Sequence, residues 1–369
     1  MDRQQIPDNP LLLPWRDYTI FHDRLVLRHG DGVVVFEGRA STTLLPDLMK
    51  LLDGSRSVAQ LIDELGTQIE PAITAALTKL NSHGLLMSGS AKAERESPSV
   101  RTAIALTELV PGTPGDMVSV ENAISAGRFV IIGDGTLADV IGTLLEQSGV
   151  SRAIRVEENA NFDLLTSREL NGHRLIVAPG SPLSSAFSKV NQWALREKRD
   201  WLQVIPYDGK AAFLGPLFVP GETGCHECFR MRRRSTLDFH KEAVYVDEAA
   251  DVGAFHRARE WRSLGQEHAV AGQAVLFALW WLLPLAHTLH PLLGRTAAME
   301  WGMLGPTISS HILVRVPRCK DCGRGNMTGL PQPWYRTDVM APTDATHEDG
   351  GLGHAHHPDH HYEGGSRNG

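Results

Sequence analysis

The sequence predicts an α/β protein built from two folded parts and a tail. A winged-helix-like α+β module spans 15–90, a linker 91–127, and a larger α/β domain of Rossmann type with a four-cysteine site 128–330. A disordered His-rich tail is expected over 342–369. Three observations predict this. Apolar residues alternate and then switch to helical spacing before residue 90. Strand and helix patterns interleave after Arg128. All four cysteines fall in two C-x-x-C knuckles inside the second part.

The first module opens with β-formers at Tyr18–His22, Leu25–Leu27 and Val33–Phe36, and Gly30-Asp31-Gly32 marks a hairpin turn. Ser41 is placed as the cap of a helix bearing Leu44, Leu45, Leu48 and Leu52. Ser57 with Gln60 makes a capping box for a second helix, closed by Gly66. Pro71 opens a third, with Ile73, Ala76, Leu77 and Leu80 on one face. Residues 91–127 show little periodicity beyond Ile104–Leu109 and read as linker.

Phe129–Ile132 then forms a buried strand, Gly133-Asp134-Gly135 a turn, and Ile141, Leu144 and Leu145 a helix face. Strands at Ala153–Val156, Leu175–Ala178 and Leu202–Ile205, with a helix near Ser185–Arg199, complete a parallel sheet. Ala211–Phe213 and Leu217–Val219 read as an antiparallel pair. A long helix over Glu267–Leu283 and strands at Ala298–Trp301 and Ile308–Val316 close the domain.

Of the 369 residues, 36 are Lys or Arg and 43 Asp or Glu, a net charge of −7. The tail supplies −4 of this, from Asp344, Glu348, Asp349, Asp359 and Glu363 against Arg367, so the body offers nothing to nucleic acid. Asp2 to Gln5 lead into Ile6-Pro7 rather than an apolar signal core, and the longest apolar run, Ala274–Ala286, contains Pro284 and is too short for a bilayer. A reduced, cytoplasmic protein without a membrane partner is expected.

Cys225-His226-Glu227-Cys228 and Cys319-Lys320-Asp321-Cys322 carry the strongest chemical signal. Two knuckles supply four thiolates for a closed tetrahedral zinc site, which has no open position for water and is therefore structural. A redox pair and unmetallated thiols stand as alternatives. Gly133 and Gly135 sit where a nucleotide loop would, between strand and helix, with Ala138 for close packing. No Lys or Arg accompanies them, Asp134 opposes phosphate, and Glu157 and Glu158 end the next strand. The loop is either a working nucleotide site or an inherited turn. Arg230, Arg232, Arg233 and Arg234 are a solvated helix surface or a docking surface for an acidic partner. His268, His287 and His290 read as core or partner-facing, and the tail histidines His347, His354, His356, His357, His360 and His361 as solvated or weakly metal-binding.

From these features, residues 128–325 resemble the ThiF-like, ubiquitin-activating-enzyme superfamily. The resemblance rests on the glycine turn, on the Cys225/Cys228 knuckle after Pro216–Gly224, on the helix Ala269–Leu283, and on the late Cys319/Cys322 knuckle. Residues 15–90 resemble the PqqD-like peptide-recognition module of ribosomal natural-product pathways. Together the two parts are similar to the leader-peptide-binding partner proteins of thiazole/oxazole-modified peptide synthesis. That resemblance implies a non-catalytic subunit with no catalytic residues of its own. It binds the leader of a bacteriocin-type precursor and presents the core to a YcaO-type cyclodehydratase, which uses ATP to form azolines from Cys, Ser and Thr. It also implies a leader strand added beside Val33–Phe36 and packed on the third helix, which selects Val34, Val35, Phe36, Ile73, Ala76, Leu77 and Leu80 as the groove. A homodimer is a further implication. Adenylating members carry a fuller glycine loop, an Asp pair and triphosphate-binding Arg and Lys that are missing here, so ATP is not expected on this chain. The competing reading is a ThiF-like enzyme adenylating a peptide or sulfur-carrier C-terminus. A third, a winged-helix regulator, lacks a basic recognition helix, since Ile73–Leu80 offers only Lys79.

Overall fold

The computed structural model describes residues 5–13, 17–29, 32–89, 97–109, 117–167, 170–254, 262–283 and 290–323. The tail at 342–369 with its histidines, and His287, lie outside the described residues. No helix among the described residues is long and apolar enough to cross a membrane.

The N-terminal module holds an antiparallel sheet of β2 (Asp17–Phe21), β3 (Arg24–His29) and β4 (Gly32–Glu37), with β3 central. Leu25 and Leu27 of β3 and Phe36 of β4 turn one face onto the helices; Val33 and Val35 turn outward. The hydrophobic helix expected after Ser41 is two short ones, α1 (Arg39–Thr43) and α2 (Leu45–Leu51). Pro46 in the first turn of α2 forces the restart, and Ser41 is not a cap: its hydroxyl donates back to the Gly38 and Asp23 carbonyls. Helix α3 (Val58–Leu65) carries the expected Ser57–Gln60 capping box, and α4 (Glu70–Ser82) has Pro71 in its first turn. A pair not foreseen, β1 (Pro10–Leu12) with β5 (Leu86–Ser88), ties the module's ends together.

The linker expected at 91–127 contains two helices, α5 (Pro98–Leu109) and α6 (Met117–Ser125). Val100, Ala103, Leu106, Met117, Val120 and Ile124 are buried in the main core, so this stretch belongs to the large domain. Each helix buries only three of these residues, too sparse a stripe to stand out against its polar neighbours.

The large domain is a seven-stranded sheet in the order β12-β11-β10-β9-β8-β6-β7. Strands β6 (Arg128–Ile132), β7 (Arg152–Val156), β8 (Arg174–Val177) and β9 (Trp201–Ile205) are parallel. Strands β10 (Ala211–Phe218), β11 (Arg295–Gly302) and β12 (Gly305–Ile312) add antiparallel. The expected hairpin at 211–219 is instead the single strand β10, whose register shifts between Leu214 and Leu217 around Gly215-Pro216. One face packs on α7 (Thr136–Gln147) and α11 (Leu264–Leu282), the other on α8 (Ala186–Glu197). The chain therefore leaves β6 and β8 toward opposite faces, and the crevice between their ends is the sheet's topological switch point. Two further helices, α9 (His226–Arg234) and α10 (His240–Asp251), follow β10.

Candidate functional site

The four cysteines meet although 94 residues separate each cross-knuckle pair. Cys225 caps α9, which sets Cys228 one turn further on, and the chain leaving β12 brings Cys319 and Cys322 against them. Cys225 Sγ lies 3.5 Å from Cys319 Sγ and 3.9 Å from Cys228 Sγ, and Cys228 Sγ lies 3.4 Å from Cys322 Sγ. All four sulfurs fall within 4.8 Å of one another. A tetrahedral ion with bonds of about 2.3 Å to sulfur needs sulfurs about 3.8 Å apart, so these residues fit a four-thiolate metal centre. The hydrogen bond shared with Cys228, then that with Cys322, then burial push the Cys225 thiol up. Hydrogen bonds from Cys225 and Cys322 hold Cys228 down to about 2. Without a cation the set resists ionising together. The Val316 N–H donates to Cys228 Sγ at 3.3 Å, an outer-shell bond suited to a thiolate.

Buried polar side chains frame this centre. The His226 N–H donates to Asn191 Oδ1 at 2.9 Å, and Asn191 Nδ2 donates to Asp321 Oδ2 at 2.7 Å, joining the two knuckles through α8. His226 Nδ1 lies 2.6 Å from Gln203 Oε1 on β9, and Gln203 Nε2 donates to the Gly215 carbonyl at 3.1 Å. The His226 ring lies between Phe187 and Phe229. Burial, then the charges of Arg230 and Arg234, push its pKa well down and keep it neutral. Asn191 and Gln203 were not singled out in the sequence. The signal is weak but present: one glutamine in an otherwise apolar buried strand, Trp201–Ile205.

The arginine cluster is an internal network. Arg230 and Arg234, only 10% and 15% exposed at their side chains, pair with Glu227, Asp247 and Asp251. Arg233 pairs with Asp208 and lies over the Phe213 ring; Arg232 alone is exposed. Neither a solvated surface nor an acidic docking face describes them. Two of the acids that neutralise them, Asp247 and Asp251, sit on α10, an element with too mixed a pattern to be placed beforehand; Glu227 lies on α9 itself and Asp208 between β9 and β10. Helices α8, α9 and α10 enclose a cavity of about 410 Å³ beside this network.

The glycine loop runs from β6 into α7 and lies at the switch point. A Cβ on Gly133 would meet the Ala178 carbonyl oxygen at 2.0 Å, and Gly135 caps α7 at φ +97°. The loop's donors, however, are engaged. Glu158, just beyond β7, accepts from the Asp134 N–H at 3.2 Å, the Gly180 N–H at 2.8 Å and the Ser184 hydroxyl at 2.5 Å. One carboxylate thus spans the crevice from the β6 loop to the β8 loop. Arg155 pairs with Asp139, lies 3.9 Å from Asp134, and donates to the Gly133 carbonyl, which offsets the loop's negative charge. A cavity of about 340 Å³ remains outside, lined by Thr136, Ser181, Arg262 and Glu267 among others.

No protein-family profile and no curated protein sequence matches the chain. Solved structures do. The fold is that of the heterocyclases and of MccB. A heterocyclase in complex with substrate and cofactor superposes with a TM-score of 0.59 at 19% identity, over 85% of this chain and 39% of that one. The heterocyclase TruD gives 0.58 at 20% identity, over 86% and 43%. E. coli MccB with MccA-N7isoASN gives 0.55 at 14% identity, over 85% and 99%. The chain thus spans about two-fifths of the two heterocyclases and nearly all of MccB.

The seven groove positions divide. Ile73, Leu77 and Leu80 have no exposed surface and, with Phe36, form the module's core. Val34 and Ala76 are partly buried against that core, and Val35 is exposed. The Phe36 ring meets His83 just past the end of α4, which brings the strand and helix ends together. Strand β4 has no partner on its outer side among the described residues. His290 is a core histidine: Nε2 donates to the Phe277 carbonyl and Nδ1 accepts from the Leu292 N–H, while burial lowers its pKa. His268 is exposed, with Nδ1 at the Leu264 carbonyl.

Proposed function

We propose that this chain is the leader-binding partner of a YcaO-type cyclodehydratase, holding a precursor peptide rather than adenylating one. In this reading residues 15–90 are a winged-helix-like recognition module, and the leader pairs with the free edge of β4. Main-chain bonds set its register, and Val33, Val35 and the β4–α4 margin set its preference. The four-thiolate centre takes zinc and holds the α/β domain together. The observation that carries the reading is the engagement of Glu158 with three donors in the switch-point crevice. Those donors are what a nucleotide phosphate would need. In this reading ring formation is left to the YcaO-type enzyme.

Titration of the full chain with a labelled leader, taken from any short Cys/Ser/Thr-rich reading frame found beside its gene, tests this. Saturable binding is expected, weakened by Val35→Glu, whose side chain is 44% exposed and outside the core. Absence of saturable binding would remove the hypothesis.

One observation favours the alternative, an ATP-dependent enzyme acting on a peptide C-terminus. The match to MccB runs almost end to end, and one MccB structure of the same fold was solved with ATP. Peptide-dependent pyrophosphate exchange discriminates: it is expected only under the alternative.

A further inference from the structure

The cavity between α8, α9 and α10 has a polar atom at its wall that the protein does not use. His226 is only 5% exposed and lines the cavity. Its tautomer is fixed by its neighbours. Gln203 Nε2 donates to the Gly215 carbonyl, so Oε1 is the atom of that amide turned toward the ring. Nδ1 therefore carries the proton and donates to Oε1. A second proton, on Nε2, would find no acceptor beside Phe187 and Phe229, so Nε2 keeps its lone pair. The ring nitrogens of His173 are unpartnered and sealed from solvent; His226 Nε2 is unpartnered and open to the cavity.

The rest of the lining decides what would use that atom. Leu183, Phe187, Phe229, Val246 and Ala250 make most of the wall apolar, and at about 410 Å³ the space has the size of a ligand pocket. Leu237 and Val246, both partly exposed, mark its mouth. The charges around it cancel. Arg230, Arg233 and Arg234 pair with Glu227, Asp208, Asp247 and Asp251, and Lys320 approaches Glu227 from outside at 3.9 Å. These four cations meet four carboxylates, which leaves no spare charge for an ionic ligand. The crevice at the glycine loop shares no lining residue with this cavity, so the two are separate sites.

We propose that this cavity binds a neutral, mainly apolar ligand that donates one hydrogen bond, of the kind an indole or phenol ring presents. The ligand's N–H or O–H meets His226 Nε2. Its ring lies against Phe187, Phe229 and the Val246 and Ala250 face of α10, where aromatic edges and faces pair favourably. The donor is what selects. An apolar ligand without one would bury Nε2 unpaired, and a carboxylate would bring a charge that nothing in the wall is free to meet. The site lies in the large domain and does not depend on how the N-terminal module binds peptide.

Two isomers isolate the hydrogen bond: 3-methylindole keeps the indole N–H, and 1-methylindole puts a methyl group in its place. Ligand-observed NMR titration of the full chain should show saturable binding of 3-methylindole, about tenfold tighter than that of 1-methylindole. Indole-3-acetate, which brings a charge, should also bind about tenfold more weakly. Val246→Trp at the mouth should abolish binding and leave circular dichroism unchanged, because the side chain it replaces is 39% exposed. His226→Phe, where it folds, should make the two isomers equal; where it does not, the isomer pair and Val246→Trp remain decisive. N-acetyl-tryptophanamide identifies the source of the ring. Affinity matching that of 3-methylindole supports a peptide side chain as occupant, and no binding supports a free aromatic molecule. No saturable binding of 3-methylindole overturns the proposal. So do equal affinities for the two isomers in the parent chain, tighter binding of indole-3-acetate, or binding undiminished by Val246→Trp.

Discussion

The paired knuckles and the glycine loop carry the two chemical signals of this chain, and they end in opposite conditions. At the knuckles four sulfurs converge within 4.8 Å, and a backbone N–H, that of Val316, turns toward one of them. At the loop the backbone donors are also converged, but Glu158 already occupies them. A spacing pattern announces where donors gather. Whether they are free to act is decided by residues far away in sequence, 24 positions on in the case of Asp134 and Glu158.

The contrast is broken most severely at the four-cysteine cluster. Cys228→Ser removes a sulfur with no exposed surface from the second core, so the metal content expected of a four-thiolate site should fall to background and the C-terminal half should lose its cooperative thermal transition. Metal analysis beside calorimetry checks this. A folded variant that keeps its metal would show that the cysteines act otherwise. Gln203→Leu should cost less, about 2 kcal/mol, because it strands buried His226 Nδ1 without touching a cysteine, while the Gly215 carbonyl keeps the Thr296 hydroxyl as a donor. Urea unfolding reads the difference, and unchanged metal content separates it from the first variant. Glu158→Ala should change stability least, by about 1 kcal/mol, since water can reach its partly exposed site. Its larger effect is on ligands: freed Asp134 and Gly180 amides should give measurable inorganic phosphate binding by calorimetry, absent in the parent. No gain of phosphate binding would mean that the crevice is closed by its backbone alone.

Much of the fold was legible because local rules decided it. The capping box at Ser57, the hairpin at β3–β4, and the parallel strands from Phe129 to Ile205 all follow from neighbours in sequence. What escaped depends on distant partners. Strand β1 is three residues that become a strand only against β5. Helices α5 and α6 show thin apolar stripes that gain meaning only when the core closes over them. Ile73, Leu77 and Leu80 have the character of either a core or a groove, and only burial separates the two. Arg230, Arg233 and Arg234 look like a charged surface until Glu227, Asp208 and the acids of α10 are seen against them.

The long reach between the two knuckles also sets an order in time. During synthesis the first knuckle leaves the ribosome about 94 residues before the second, an interval of roughly 5 to 20 s. Through that interval Cys225 and Cys228 form half a site, and the buried links from His226 to Asn191 and Gln203 can already be made. The antiparallel end of the sheet is then the last part built, and a metal ion caught early would wait for it.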